Sequence, residues 1–207
     1  MKIRPLFAAA LVAAAVLGAA ACAPPPAATS SELSVDQDFG ESLATHFGFV
    51  QHCSDGDGFQ RQLAQTFNAG HSGSLQQVSL RLAKSETPLE LQVSIQELDV
   101  DGKPTGVSIG SGAYDGIADP EVLTEIPLSE HARVNAGTGY AIVLSTPANG
   151  ACGTQGLWTP YMVQSATDPF TFGRALFKSD FSAGWQVATT FPAGEQTDLV
   201  FRTWVAS

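Results

Sequence analysis

Residues 74–99 read SLQQVSLRLAKSETPLELQVSIQELD. Val78, Leu80 and Leu82 alternate with Ser79, Arg81 and Ala83, and Leu89, Leu91, Val93 and Ile95 alternate with Glu90, Gln92, Ser94 and Gln96. A period of two sends alternate side chains to opposite faces of an extended strand. The polar break at 85–88 predicts an antiparallel pair joined by a short loop, with one dry face and one wet face. A dry face needs cover, and the rest of the chain offers further strands to supply it. Residues 62–68 (QLAQTFN) predict a core strand with Leu63 and Phe67 inward. Short strands are expected at 107–114 and 122–128, and 140–146 (YAIVLST) is apolar enough to be buried on both sides. A hairpin is expected from 175–178 and 185–188. In 199–205 (LVFRTWV), Leu199, Phe201, Thr203 and Val205 share one face. No long amphipathic helix is evident, and 35–50 reads as a short helix or an irregular segment. Many short strands without βα alternation predict an all-β fold, an antiparallel, jelly-roll-like β-sandwich.

Working outward to the termini, residues 1–22 read MKIRPLFAAALVAAAVLGAAAC. Lys2 and Arg4 precede an uncharged apolar run of 16 residues, too short for a comfortable membrane span, and small residues follow. This is the pattern of a bacterial export signal. Ala19-Ala20-Ala21-Cys22 resembles a lipoprotein lipobox, with Ala19 where leucine is usual; the resemblance implies diacylation of Cys22. The same alanines also suit cleavage of A-x-A type and plain secretion. Residues 23–40 begin APPPAATSSELS, a Pro/Ala/Ser-rich linker in which three prolines favour extended backbone. The expected organisation is a lipoprotein signal peptide at 1–22, a linker at 23–40 and a β-sandwich domain at 41–207.

The chain has 207 residues, 20 acidic and 10 basic, for a formal net charge of −10. That balance repels phosphate backbones and argues against nucleic-acid binding. There are 3 cysteines. Lipidation of Cys22 leaves Cys53 and Cys152 as an even pair, and export favours their oxidation to a disulfide.

The strand series resembles a recurrent module of bacterial secreted proteins, a jelly-roll sandwich of the choice-of-anchor or galactose-binding-like kind. The residues that carry the likeness are QTFNAG (65–70), SLQQVSLRL, LELQVSIQELDVDGKPTG, NAGTGYAIVLS, SDFSAGW and DLVFRTWV, across 58–207. The resemblance implies an extracellular sandwich with no assigned activity. Cys53 and Cys152 are not part of that pattern.

Asp55-Gly-Asp57-Gly and Asp99-Val-Asp101-Gly raise calcium, but neither continues as an EF-hand loop, and Asp and Gly in this order are also ordinary turn chemistry. Zinc spacing is absent around His46, His52 and His71. The histidines, at 46, 52, 71 and 131, are expected in loops, with no nucleophile paired to them. No metal and no cofactor are expected, and no catalytic residue is assigned. Aromatic residues crowd the loop-rich stretch after Cys152: Trp158, Tyr161, Phe170, Phe172, Phe181 and Trp185. Rings on loops can stack on sugar faces while polar neighbours orient the ligand. Trp158, Tyr161, Trp185 and Asp180 are the candidate ligand-binding residues. SDFSAGW (179–185) also resembles a degenerate Asp-box hairpin, which implies that Asp180 and Trp185 lock a turn.

The function expected from these residues is a non-catalytic, lipid-anchored module outside the cytoplasm, held to a bacterial membrane through its N-terminal lipid and binding a glycan or an envelope protein. The alternatives are a structural or protein-interaction domain of the envelope, or a hydrolase whose site the sequence does not reveal.

Overall fold

The strand Gly73–Lys84 sits near the centre of the fold, hydrogen-bonded to three neighbours. A computed structural model of the chain describes residues 32–40, 46–53, 59–84, 89–148, 157–165, 170–189 and 195–207. Every regular element among them is a strand: β1 Leu33–Phe39, β2 His46–Phe47, β3 Gln51–Cys53, β4 Phe59–Asn68, β5 Gly73–Lys84, β6 Leu91–Leu98, β7 Pro104–Tyr114, β8 Leu123–Val134, β9 Gly139–Ser145, β10 Trp158–Ser165, β11 Ala175–Ser179, β12 Gln186–Val187, β13 Gln196–Leu199 and β14 Phe201–Ala206. The fold is all-β, one antiparallel sheet in the order β1-β14-β5-β8-β7-β6-β9-β4-β11-β12. β10 pairs with β13, β2 and β5 beside this path, and β3 pairs with β4.

The sheet curls so that its two halves share one core. Leu75, Val78, Leu80 and Leu82 of β5 join Leu63 and Phe67 of β4, Leu91, Val93 and Ile95 of β6, and Ile142 and Leu144 of β9 in a single cluster, each at most 1% exposed. Each such side chain contributes about 1.5–3 kcal/mol on burial. The curl falls between β7 and β8, which are bridged only at Ser111↔Glu130. Two glycines allow that approach. A Cβ on Gly110 would lie 2.7 Å from the Ala132 nitrogen, and one on Gly112 2.5 Å from the Pro127 carbonyl oxygen. Both distances are shorter than side-chain carbons tolerate, so only glycine fits.

The two alternating runs of 74–99 are both strands, but they do not pair. β5 bonds to β14, β8 and β10, whereas β6 bonds to β7 and β9. Their dry faces meet across the core instead of lying side by side. Alternation fixes which face is apolar; it does not say which neighbour supplies the ladder. The connecting residues 85–88 lie outside the described ones.

The domain also begins earlier than expected. β1 occupies residues assigned to the linker and the irregular segment, pairing with β14 from Leu33↔Ala206 to Phe39↔Phe201. Its exposed, polar sequence gives no strand signal of its own. It is held by partners from the far end of the chain: the Gln37 N–H donates to Thr203 Oγ1 at 3.0 Å, and Arg202 Nη2 lies 2.8 Å from Asp38 Oδ2. Phe201, Thr203 and Val205 of β14 are buried as expected, and so is Leu199 at the end of β13; Val200 between the two strands is buried as well, where alternation would turn it outward.

β9 is buried on both sides. Tyr140, Ile142 and Leu144 enter the main core, while Ala141 and Val143 join Ala64 and Leu176 in a second cluster covered by Leu98, Trp185 and Val187. The hairpin of β11 and β12 pairs at Leu176↔Val187 and Phe177↔Gln186, and it brings that cover into place.

A candidate binding cleft around Phe172

The aromatic residues singled out from the sequence separate into different environments. Trp158 opens β10 and is 0% exposed. Its Nε1–H donates to the Leu89 carbonyl at 2.7 Å, and Tyr114 meets it edge-on at 5.9 Å. A ring with no accessible face cannot stack on a sugar, so the ligand-binding role expected for Trp158 is replaced by a core role. Tyr161 is half-buried, with the Arg81 guanidinium 5.1 Å over its ring. Arg81 in turn donates to the Pro120 carbonyl.

Trp185, also half-buried, packs on the second apolar cluster. Asp180 accepts the Gln60 N–H at 2.6 Å through Oδ2, and its own N–H donates to the Gln60 carbonyl at 3.3 Å. Ser182 Oγ accepts the Ser179 N–H at 2.9 Å, and the Ser182 N–H donates to the Ser179 carbonyl at the same distance. Gly184 takes φ +100°, a region that favours glycine. Asp180 therefore clamps a tight turn to β4. The four expected ligand residues engage four different partners and form no common site.

Cys22 and Cys152 lie outside the described residues, as do Asp55 and Asp57. Cys53 ends β3 and is 2% exposed. At the other Asp-Gly motif, Asp99 Oδ1 accepts the N–H groups of Asp101 and Lys103, each at 2.9 Å, which makes it a turn-forming carboxylate. Among the described residues, no group of three or more His, Cys, Asp or Glu side chains could hold a metal. His46, His52 and His131 lie in strands rather than loops. His71 is in the turn after β4, where its Nδ1 lies 3.0 Å from Asp36 Oδ1.

Sequence reasoning misses one string, Gly106-Val107-Ser108-Ile109-Gly110, which matches the G-x-S-x-G pattern of hydrolase nucleophiles. That pattern acts on a sharp strand-to-helix turn. Here it lies within β7, with no helix following, and Ser108 Oγ donates to the Gly110 carbonyl at 2.9 Å. It carries no nucleophile geometry.

Two clefts do adjoin one another, and an aromatic ring stands between them. The first, about 430 Å³, is lined by residues including Asn68, Leu98, Gly102, Phe172, Arg174 and Gln196. The second, about 410 Å³, is lined by Gln37, Asn68, Ala69, Gly70, Gly137 and Phe172. Phe172 and Asn68 belong to both. Each volume falls in the range of small-ligand sites. Phe172 is 62% exposed, yet its base is anchored: it meets Phe170 edge-on at 6.0 Å, and Phe170 packs on Phe39 at 5.0 Å and Phe201 at 5.3 Å.

The turn that presents Phe172 is fixed to β4. The Thr66 N–H donates to the Arg174 carbonyl at 2.9 Å, and the Arg174 N–H donates to Thr66 Oγ1 at 2.8 Å. Gly173 lies so close that a Cβ there would fall 1.7 Å from the Thr66 carbonyl oxygen. Below the turn, Asp198 is 1% exposed; its Oδ1 accepts Gln65 Nε2–H at 2.7 Å, and its Oδ2 accepts the Phe170 N–H at 3.1 Å. Gln65 Oε1 accepts the Leu199 N–H at 2.7 Å. A loop held this way presents its side chains with little ordering left to lose on binding.

Gln65 and Phe170 both donate to Asp198. Asp198→Asn replaces one acceptor with a donor, so one of them faces N–H to N–H. We expect that nearly isosteric change to lower stability by about 1–3 kcal/mol, measured by urea denaturation. A loss under a few tenths of a kcal/mol would remove the network from the account of how the turn is held.

No family model matches the chain, and no curated protein matches it in sequence.

Proposed function

We propose that this protein is a non-catalytic binding module of the bacterial cell envelope, anchored by lipid on Cys22 and binding a glycan in the clefts that flank Phe172. The observation that carries the binding role is Phe172 itself. It is a large aromatic ring, mostly exposed, on a turn fastened to β4 by hydrogen bonds and a glycine contact. An aromatic face beside amide and guanidinium groups suits a sugar. Asn68, Gln196 and Arg174 supply those polar groups.

The jelly-roll sandwich belongs to the same proposal. It is supported by the way the curled sheet puts β5 and β9 into one core. So does a Cys53–Cys152 disulfide, supported by export and by the burial of Cys53. The anchor rests on the N-terminal sequence alone. Two acyl chains on one residue hold a membrane stably where one does not.

A glycan array on the full mature chain tests the binding role. We expect retention of at least one class of oligosaccharide. No retention of any glycan would remove that role and leave a structural or protein-interaction domain of the envelope as the better account.

A further inference from the structure

We infer that the cleft beside Phe172 selects an acidic sugar, a pyranose carrying a carboxylate, with Arg174 as the group that recognises the charge; this rests on the cleft being the glycan-binding site. The chain carries twice as many acids as bases, so an unpaired cation in a cleft is conspicuous. Arg174 is exposed, lines the cleft and forms no ion pair among the described residues. Of the other arginines that flank an aromatic ring, Arg202 pairs with Asp38, Arg81 with Pro120 and Glu121, and Arg61 lies over Phe49 and Phe177, outside the lining of the cleft.

Arg174 is anchored at its backbone, and its head reaches a neighbouring turn. Its backbone is fixed to Thr66, and Nη2 stands 3.5 Å from where a Cβ on Gly102 would be, so the head of the side chain lies against the turn joining β6 and β7. That turn carries Asp99, Asp101 and Lys103. Asp99 Oδ1 accepts two backbone N–H groups, and none of the three forms an ion pair with Arg174 among the described residues. Arg174 thus brings a planar fork of donors to the lining of the cleft, and a carboxylate is the group such a fork matches with two parallel bonds. Phe172 offers its ring to the C–H face of the same sugar, and Asn68 and Gln196 can bond to hydroxyls. The net charge of −10 opposes any anion at long range, so the preference must arise from contact with Arg174 rather than from steering.

The probes are tetrasaccharides of galacturonate, of mannuronate and of hyaluronan, each beside its carboxyl-reduced form, which keeps the ring and loses the charge. Affinities are measured by calorimetry on the full mature chain. We expect at least one acid to bind, with its reduced form about tenfold weaker. Arg174→Gln should bring the acid down to the level of the reduced form, and Phe172→Ala should weaken both. Equal binding of acid and reduced forms, or an acid preference that survives Arg174→Gln, overturns the acidic-sugar inference and leaves the cleft as a site for neutral glycans. If none of the three acids binds, the inference is also overturned, and the array of neutral glycans decides separately whether the cleft binds sugars. An unchanged melting temperature in both variants shows that the losses are not losses of fold.

Discussion

Trp158→Ala is expected to lower the unfolding free energy by about 3–5 kcal/mol, a large share of what a single domain possesses. The side chain is wholly buried at the start of β10, where β10 pairs with the end of β5, and its backbone exchanges two hydrogen bonds with Val50, at 2.9 and 3.1 Å. Removing the indole opens a cavity beside Tyr114 and leaves the Leu89 carbonyl without its donor. Lys84 loses the ring beneath its ammonium, 6.0 Å from the centroid. The measurement is urea denaturation followed by circular dichroism. A variant that keeps wild-type stability would return Trp158 to the list of ligand-facing residues.

Reducing the proposed Cys53–Cys152 bridge has a comparable effect by a different route. The crosslink closes a loop of about a hundred residues, and the chain-entropy model assigns such a loop about 4–5 kcal/mol. Most of that acts on the unfolded chain, so the folded domain of a Cys53→Ser, Cys152→Ser variant should keep its far-ultraviolet spectrum while its urea midpoint falls. Strain in the folded state would reduce the figure. Mass spectrometry of the purified, unreduced protein should show the two thiols missing; two free thiols there would end the disulfide proposal, whatever the stability of the variant.

The parts of the fold legible in the sequence are those fixed by local alternation. Leu63 and Phe67 point inward from β4, β9 is buried on both faces, and the C-terminal strand hides Phe201, Thr203 and Val205. What alternation does not carry is pairing. β5 and β6 look like partners because they are adjacent in sequence, yet each finds its neighbours elsewhere. β1 is invisible for a related reason: its stability comes from Thr203 and Arg202 at the opposite end of the chain.

The candidate site was half legible. The loop-rich aromatic stretch does contain Phe172, but tryptophan is the larger ring and draws attention to Trp158 and Trp185. Which rings end up outside is set by what packs above them. Leu89 and Tyr114 close over Trp158, whereas Phe172 stays 62% exposed. Asn68 and Gln37 reach Phe172 only because β4 and β1 end at the same edge of the molecule, and the spacing of residues along the chain holds no sign of that.

The central claim is that ligand binding belongs to Phe172 and not to the tryptophans. A glycan array run in parallel on the wild-type chain, Phe172→Ala and Trp185→Ala tests it most directly. The account predicts that Phe172→Ala loses the glycans retained by the wild type, with its melting temperature within about 2 °C of the parent because the ring is already exposed. Trp185→Ala should keep the same glycans while melting earlier, since Trp185 covers the second apolar cluster. Undiminished binding by Phe172→Ala, together with loss of binding by a fully folded Trp185→Ala, would contradict it.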